Sequence, residues 1–330
     1  MADYKFVPIV RKKKPGTATT KTPSTATTVT PAAAKTVSTV TAKPTAASGN
    51  AASSFKTGKE YFDKKAYTSA IGWLKKAADL GNTDAMNMLG DCYFDGLGVA
   101  VDYAKAVDYF MKAAKQKHLQ AMNSLGYCYE YGYGVTKNVS RAVVYYEQAA
   151  ISGYAKSQYN LGMCYLNGNG TAKNPHRAVE WLVRAANQGH SDAQLELGLI
   201  YFNGNGIFQN YYTAAKYFMK AAEQGNTYAK HNLGVCYYKG HGVPQSYSKA
   251  AQLYREAADG GVNEAKYALA VCYYYGHGVE QSFFIARGYF KEAGYPDKVK
   301  LCDKKYTAYI ILYGIDFDNG FIHLQHLPCL

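Results

Sequence analysis

The C-terminal end of the chain carries the most obvious metal-ligand chemistry. His323, His326 and Cys329 offer imidazole nitrogens and a thiolate, which are the ligands that zinc prefers. A structural zinc site needs a fourth ligand, and the sequence offers none nearby. The acids that begin at Asp316 have part of the spacing of a calcium loop, yet Leu327 stands where such a loop requires a bidentate acid. We therefore expect no metal and no cofactor.

Glycine pairs of the form Gly-x-Gly recur along the chain and could in principle cradle a phosphate. No Gly-Lys-Ser/Thr or dinucleotide pattern surrounds them, so the pairs predict tight turns with positive φ. His241 and His277 lie between the glycines of two pairs, and we expect both to be exposed loop residues. No nucleophile stands beside a candidate base. The chain is therefore predicted not to be an enzyme.

A basic cluster near the N-terminus is the clearest charge feature. It comprises Arg11, Lys12, Lys13 and Lys14, and the chain as a whole has a net charge of +13. Clustered cations bind polyanions by counterion release, so nucleic acid, an anionic surface or a nuclear-import receptor are candidate partners. No aromatic residue is interleaved with these cations, which argues against base stacking. The alternative is a solvated linker.

The larger organisation is an internal repeat with a period of 36 residues, as in Ser191 to Asn226. Leucine recurs in register at Leu89, Leu125, Leu161, Leu197, Leu233 and Leu269. Tyrosine recurs at Tyr93, Tyr129, Tyr165, Tyr201, Tyr237 and Tyr273. A fixed period of this length is typical of a solenoid.

Each repeat is predicted to form two helices joined by a glycine loop. In the first helix, Ala121, Leu125 and Cys128 share one face of a 3.6-residue period. The second helix begins after a capping residue at Asp102, Asn138, Asn174, Asn210, Ser246 and Ser282. No repeat can bury its apolar face alone, so stacking must stabilise the array. The sequence predicts an all-α fold, a right-handed α-solenoid of about seven helix-turn-helix repeats.

The repeated pattern A-x-x-x-L-G-x-C-Y-x-x-G-x-G-V, followed by K-A-x-x-Y/W-x-x-x-A-A-x-x-G, resembles the Sel-one-like repeat family, which is related to tetratricopeptide repeats. The resemblance covers residues 82–297 as six repeats, with a shorter first repeat over 53–81. It implies a non-enzymatic scaffold or adaptor that binds other proteins. Some cysteine-rich relatives have been credited with hydrolysis, so a hydrolase is one alternative, and an architectural protein acting through the basic tail is another.

Composition divides the chain into three regions. Residues 1–52 are rich in Thr, Ala, Pro and Lys and predict a disordered basic tail. Residues 53–297 form the predicted solenoid, and residues 298–330 a small C-terminal cap or tail. Two apolar runs flank Asn319-Gly320, which favours a hairpin. A last helix followed by an irregular tail is the alternative form of the cap.

Five of the seven cysteines occupy one repeat position, at Cys92, Cys128, Cys164, Cys236 and Cys272. Equivalent atoms of stacked repeats lie about 10 Å apart, too far for a disulfide. Buried free thiols are therefore expected, which fits a reducing compartment. The N-terminal residues lack a signal-peptide pattern and no segment is apolar enough to span a membrane. We expect a monomer in the cytoplasm, with the nucleus as the alternative.

The predicted site is a recognition groove. By similarity to tetratricopeptide repeats, the first helices line the concave side, and we expect their non-frame residues to bind an extended peptide or a partner helix. Aromatic residues dominate these positions and offer large contact area at low entropic cost. The candidate residues are Tyr127, Tyr131, Tyr159, Phe202, His231, Tyr238, Tyr267, Tyr274 and Tyr275.

Overall fold

The computed structural model describes residues 50–313, with side-chain placement through residue 308. All fifteen regular elements in this range are helices. They are α1 (Ala51–Asp63), α2 (Tyr67–Asp79), α3 (Thr83–Asp95), α4 (Tyr103–Lys115), α5 (Leu119–Tyr131), α6 (Val139–Ile151), α7 (Ala155–Asn167), α8 (Pro175–Asn187), α9 (Ser191–Asn203), α10 (Tyr211–Glu223), α11 (Thr227–Lys239), α12 (Tyr247–Asp259), α13 (Asn263–Tyr275), α14 (Phe283–Glu292) and α15 (Pro296–Tyr313). Odd-numbered helices from α1 to α13 are the first helices of the repeats, and α2 to α14 are the second helices.

The capping column predicted from the sequence is confirmed at the start of the second helices. Each side chain in the column accepts a hydrogen bond from the backbone amide three residues later, at 2.9–3.4 Å. Pro175 is the first residue of α8, where no amide donor is needed. At the other end of the second helices, Lys117 replaces the glycine of the other repeats and still adopts a φ of 62°. The repeat therefore imposes this left-handed turn even on a residue with a side chain.

A glycine inside the first helix allows the two helices of a repeat to cross closely, and only α13 carries Ala270 at this position instead. A Cβ atom at Gly126 would lie 2.4 Å from the ring of Tyr146, and one at Gly198 would lie 2.4 Å from Phe218. Neither ring can retreat, because both are fully buried. The crossing glycine and the facing ring thus form one packing unit, repeated along the array.

The Gly-x-Gly loops pack onto the preceding repeat. Gly134 has a φ of +68°, and a Cβ atom there would lie 2.2 Å from the carbonyl oxygen of Tyr103. Gly278 repeats this contact against Tyr247. The loops are tight turns, as predicted, and the second glycine also serves a close contact between repeats.

The chain divides into two compact units, with the boundary inside α8. The N-terminal unit, described from residue 50 to Trp181, has a core of alanine, leucine and methionine with aromatic side chains from both helices of its repeats. The C-terminal unit, described from Leu182 to residue 313, has a core that extends from Leu195 to Cys302. In both units the core runs from helix to helix, as expected where stability comes from neighbouring repeats.

The C-terminal end differs in part from the prediction. The apolar run over residues 307–313, predicted as the first strand of a hairpin, belongs to α15. The alternative of a last helix is therefore correct for this segment. α15 packs on α14, with Cys302 fully buried. The basic cluster Arg11 to Lys14, the tail over 1–49 and the ligands proposed at His323, His326 and Cys329 lie outside the described residues.

Candidate partner-binding surface

One column of the predicted groove is exposed in all six long repeats. This column is the last residue of the first helix, directly before the loop glycine. Its members are Asp95, Tyr131, Asn167, Asn203, Lys239 and Tyr275. Tyr131 is 38% exposed and Tyr275 is 51% exposed, so two of the predicted aromatic residues lie at the surface.

Five of the predicted groove residues are buried, and the expectation that they are exposed is wrong. They are Tyr159, Phe202, His231, Tyr267 and Tyr274, with exposed fractions between 2% and 8%. Packing within and between repeats accounts for the burial. The ring of Tyr267, for example, lies 4.5 Å from that of Tyr295 and 5.3 Å from that of Phe290.

The first exposed tyrosine belongs to a cluster of rings in the N-terminal unit. We call Phe94, Tyr103, Tyr127, Tyr131 and Tyr133 the N-terminal aromatic cluster. The ring centres of Tyr127 and Tyr131 are 4.6 Å apart, and those of Tyr103 and Tyr133 are 5.0 Å apart. Phe94 is buried beneath the cluster, while Tyr127 is half-buried. The cluster is a preordered aromatic surface, held by edge and tilted ring contacts.

A second cluster occupies the corresponding position in the C-terminal unit. We call Tyr238, Tyr247, Tyr274, Tyr275 and His277 the C-terminal aromatic cluster. Tyr247 stacks on His277 with ring centres 4.5 Å apart, and Tyr275 lies 5.5 Å from the same imidazole. The hydroxyl of Tyr238, itself half-buried, is 2.7 Å from His277 Nδ1. The N-terminal cluster therefore combines two exposed tyrosines, Tyr103 and Tyr131, with a base of ordered rings, and the C-terminal cluster exposes Tyr275 alone.

The loop histidines are not the exposed residues that the sequence suggested. His241 stacks on Tyr211 at 4.1 Å, as His277 stacks on Tyr247. Burial lowers the pKa of His241, and the nearby Lys239 adds to this effect. Both imidazoles are thus part of the packing between a loop and the preceding repeat.

Three tyrosines of the clusters, Tyr103, Tyr133 and Tyr247, were not predicted from the sequence. Tyr103 and Tyr247 are the first residues of second helices, and Tyr133 lies between two loop glycines. The sequence does indicate an aromatic column at the start of the second helices, because Tyr67, Tyr211 and Phe283 occupy the register of Tyr103 and Tyr247 in other repeats. The predicted groove contained first-helix residues only, whereas the loop of the next repeat brings these rings together.

Beside the N-terminal aromatic cluster, the first-helix face is polar. Asn87 donates to Asp91 through a 3.2 Å hydrogen bond, and Gln120 donates to the same carboxylate oxygen at 3.5 Å. Burial raises the pKa of Asp91 to about 7, and repulsion from Asp95 contributes to the shift. This carboxyl group therefore titrates near neutral pH.

The buried thiols lack the lowered pKa of a catalytic cysteine nucleophile. Burial raises the pKa of Cys92, Cys128, Cys236 and Cys272 to about 12. A reactive cysteine has a lowered pKa and a basic neighbour. None of the six cysteines within the described range forms a disulfide, and the five at the shared repeat position are buried, as the spacing predicted. Across that range, no three or more His, Cys, Asp or Glu residues are grouped to hold a metal ion.

Comparison with known families agrees with this architecture. The family model of the Sel1 repeat matches seven consecutive segments, at residues 55–82, 83–118, 119–154, 155–190, 191–226, 227–262 and 263–295. The chain belongs to the Sel1 repeat family. This membership, together with the fifteen helices of the described range, confirms the all-α repeat solenoid. Sel1 repeat proteins are typically scaffolds for protein–protein interaction.

Solved structures are similar over most of the chain. A Sel1 repeat protein from Oxalobacter formigenes shares 33% identity with a TM-score of 0.66, covering 73% of this chain and 96% of its own. A protective antigen from uropathogenic Escherichia coli, also with this repeat fold, shares 29% identity with a TM-score of 0.52, covering 80% of this chain and 67% of its own. No curated protein matches significantly. Among the helices of residues 50–313, none has the length and apolarity that crossing a bilayer requires.

Proposed function

We propose that this chain is a non-enzymatic scaffold that binds a partner protein through its two aromatic clusters. The observation that carries the proposal is the pair of exposed tyrosines, Tyr131 and Tyr275, each placed on a base of ordered rings. Tyrosine is enriched at interfaces because it buries a large area and has few rotatable bonds. An extended peptide or a partner helix is the proposed guest.

The ring contacts support binding by preorganisation. Tyr131 contacts Tyr127 and Tyr133, and Tyr275 contacts Tyr274 and His277. A side chain that is already restrained loses little entropy when a partner covers it. Three of the remaining groove candidates, Tyr127, Tyr238 and Tyr274, support the exposed tyrosines as members of the two clusters. The other four stabilise the repeats by packing, and they are Tyr159, Phe202, His231 and Tyr267.

Absence of catalysis is part of the proposal. The raised pKa values of the buried thiols oppose nucleophilic chemistry, and family membership favours binding. The three-region division and a monomeric state also stay proposals. Buried free thiols suit a reducing compartment, so we propose an intracellular location. Neither a hydrolase nor a nucleic-acid-binding architectural protein is favoured by a specific observation.

The test begins with affinity purification from the native source and identification of the partner by mass spectrometry. The purified partner is then titrated against the double variant Tyr131→Ala/Tyr275→Ala. We expect affinity to fall at least about a hundredfold, because exposed aromatic anchors contribute about 1–3 kcal/mol each. Circular dichroism and the unfolding temperature should be unchanged.

The matched control is Asn167→Ala/Asn203→Ala, which alters the same register position in two other repeats. Both asparagines are exposed and neither belongs to an aromatic cluster. We expect this control to bind like the wild type. If both double variants keep wild-type affinity, the aromatic clusters are not the binding surface.

A further inference from the structure

A cavity of about 330 Å³ lies between α4, α5 and α6 in the N-terminal unit. Met111, Met122 and Val144 form apolar parts of its wall, and Val144 is half exposed. Lys115, Arg141 and Gln148 add polar groups to the lining. None of these residues belongs to either aromatic cluster. The cavity, which we call the α4–α6 cavity, is therefore separate from the surface proposed above.

In the C-terminal unit, ion pairs bridge the two helices of a repeat at the register positions of Met122 and Gln148. Three repeat periods after Met122 and Gln148 stand Lys230 and Glu256, whose Nζ and Oε2 atoms are 2.6 Å apart. One period further on, Lys266 and Glu292 form the next pair at 2.9 Å. A methionine and a glutamine cannot form this bridge. Among the six long repeats only those of Lys230 and Lys266 carry an acid–base pair at this position, and at the α4–α6 cavity Met122 and Gln148 leave the two helices unbridged.

Two cations line the α4–α6 cavity: Lys115 is the one cation in its register, whereas the register of Arg141 also carries Lys105, Arg177 and Lys249. Lys115 and Arg141 are exposed, and neither has a carboxylate partner among the described residues, whereas the neighbouring Lys112 is paired with Asp108 at 2.7 Å. Tyr129 orients Arg141, whose guanidinium carbon lies 5.0 Å from the ring centre.

In the C-terminal unit, the register position of Lys115 is neutral at Asn187 and has the opposite charge in the two following repeats. It is occupied there by Glu223 and Asp259. The α4–α6 cavity therefore combines an apolar wall with two cations that have no acidic partner.

We propose that the α4–α6 cavity binds an acidic amphipathic segment of a partner protein. A long apolar side chain of that segment enters between Met111 and Met122, whose flexible thioethers adapt to its shape. Flanking carboxylates pair with Lys115 and Arg141, and guanidinium suits bidentate pairing. This site goes beyond the scaffold function proposed above, because it uses another surface and a defined ligand charge.

The probe is a fluorescein-labelled acidic peptide, Glu-Leu-Glu-Leu-Phe-Glu, with the same peptide carrying Gln for Glu as its reference. The full chain is labelled with [¹³C-methyl]methionine. We expect the methyl resonances of Met111 and Met122 to shift on addition of the acidic peptide. The acidic peptide should bind at least about tenfold more tightly than the reference, a ratio that equals about 1.4 kcal/mol.

Two double variants exchange the ion pair of α11 and α12 with the uncharged pair Met122 and Gln148 of the α4–α6 cavity. Met122→Lys/Gln148→Glu installs the ion pair of α11 and α12, and should weaken peptide binding at least about tenfold. Lys230→Met/Glu256→Gln removes that pair elsewhere in the chain and should leave peptide affinity within about twofold. Arg141→Gln alone should also weaken binding, which keeps the test informative if the first variant does not fold.

Three results would overturn the proposal. The first is no shift of the Met111 and Met122 resonances at millimolar peptide. The second is equal affinity for the acidic and the reference peptide. The third is unchanged binding in folded Met122→Lys/Gln148→Glu. Tyr131→Ala/Tyr275→Ala should bind the peptide normally, so failure of the aromatic surface and failure of the α4–α6 cavity are distinguishable.

Discussion

The first-helix faces of the two units differ although their packing frames are the same. In the N-terminal unit, Asn123 accepts hydrogen bonds from Ser157 at 3.0 Å and from Asn160 at 2.9 Å, which links α5 to α7 through polar groups. In the C-terminal unit, the columns of Asp91 and Asn123 are buried and mostly apolar, with His231 as the polar exception. Their members include Leu195, Leu199, Val235, Tyr267 and Val271.

This difference separates the residues that stabilise the array from the residues that vary between repeats. The crossing glycine, the facing aromatic ring and the helix cap recur in both units, and they supply the stability that stacking requires. The columns between them carry either amides and acids or aliphatic chains. The same division applies to the second helices, where ion pairs in one unit correspond to the open α4–α6 cavity in the other.

The strongest test of this contrast moves an acid into the apolar face. Leu199 is 3% exposed and stands three repeat periods after Asp91. We expect Leu199→Asp to lower the free energy of unfolding by at least about 3 kcal/mol, because the carboxylate would be buried without a partner. Urea denaturation measures this loss. The reverse change, Asp91→Leu, should cause no loss at pH 8, and equal costs for both variants would contradict the contrast.

A second effect is expected from the titration of Asp91. Its pKa rises from 3.8 to about 7 on folding, because burial and Asp95 outweigh the opposing effects of Lys156 and Asn87. The folded chain therefore binds more protons in this window, and the stability contribution of Asp91 is fully present below about pH 4 and is lost as pH rises through about 7. Relative to Asp91→Asn, the unfolding temperature of the wild type should fall between pH 4 and pH 8. A constant difference across this range would show that Asp91 does not titrate as described.

The smallest effect compares two repeats of the C-terminal unit. Tyr238 makes a 2.7 Å hydrogen bond to His277 Nδ1, whereas Phe202 stands in the same register beside His241. Within the described residues, the buried Nδ1 of His241 has no hydrogen-bond partner. Tyr238→Phe should therefore cost about 1 kcal/mol, and Phe202→Tyr should stabilise by a similar amount.

Thermal and urea unfolding of both variants, alone and combined, measure this exchange. In a background that carries His277→Leu, Tyr238→Phe should cause no further loss, which isolates the hydrogen bond from other effects of the hydroxyl. Destabilisation by Phe202→Tyr would mean that the ring next to His241 has no room for an oxygen.

Predictions from the sequence succeeded where one repeat constrains the next. The capping column, the crossing at Gly126 and the absence of disulfides at Cys92 and its equivalents depend on local chemistry that recurs at a fixed period, so the sequence contains several copies of each pattern. The groove was harder to predict. Tyr267 and Tyr274 have the composition of a recognition surface, yet the rings of their neighbours cover them, and composition alone does not distinguish an exposed tyrosine from a buried one.

The sequence by itself determined the period, the two helices of each repeat, their caps and the family, because these features depend on residue type and spacing along the chain. Only the tertiary structure decided which side chains meet across repeats. Tyr131 is exposed and packs on ordered rings, and His277 stacks against Tyr275. Met122 lines the α4–α6 cavity, whereas Lys230 in the same register pairs with Glu256. These differences arise from contacts between residues about one repeat apart, where a change of one side chain alters burial without disturbing the repeating frame.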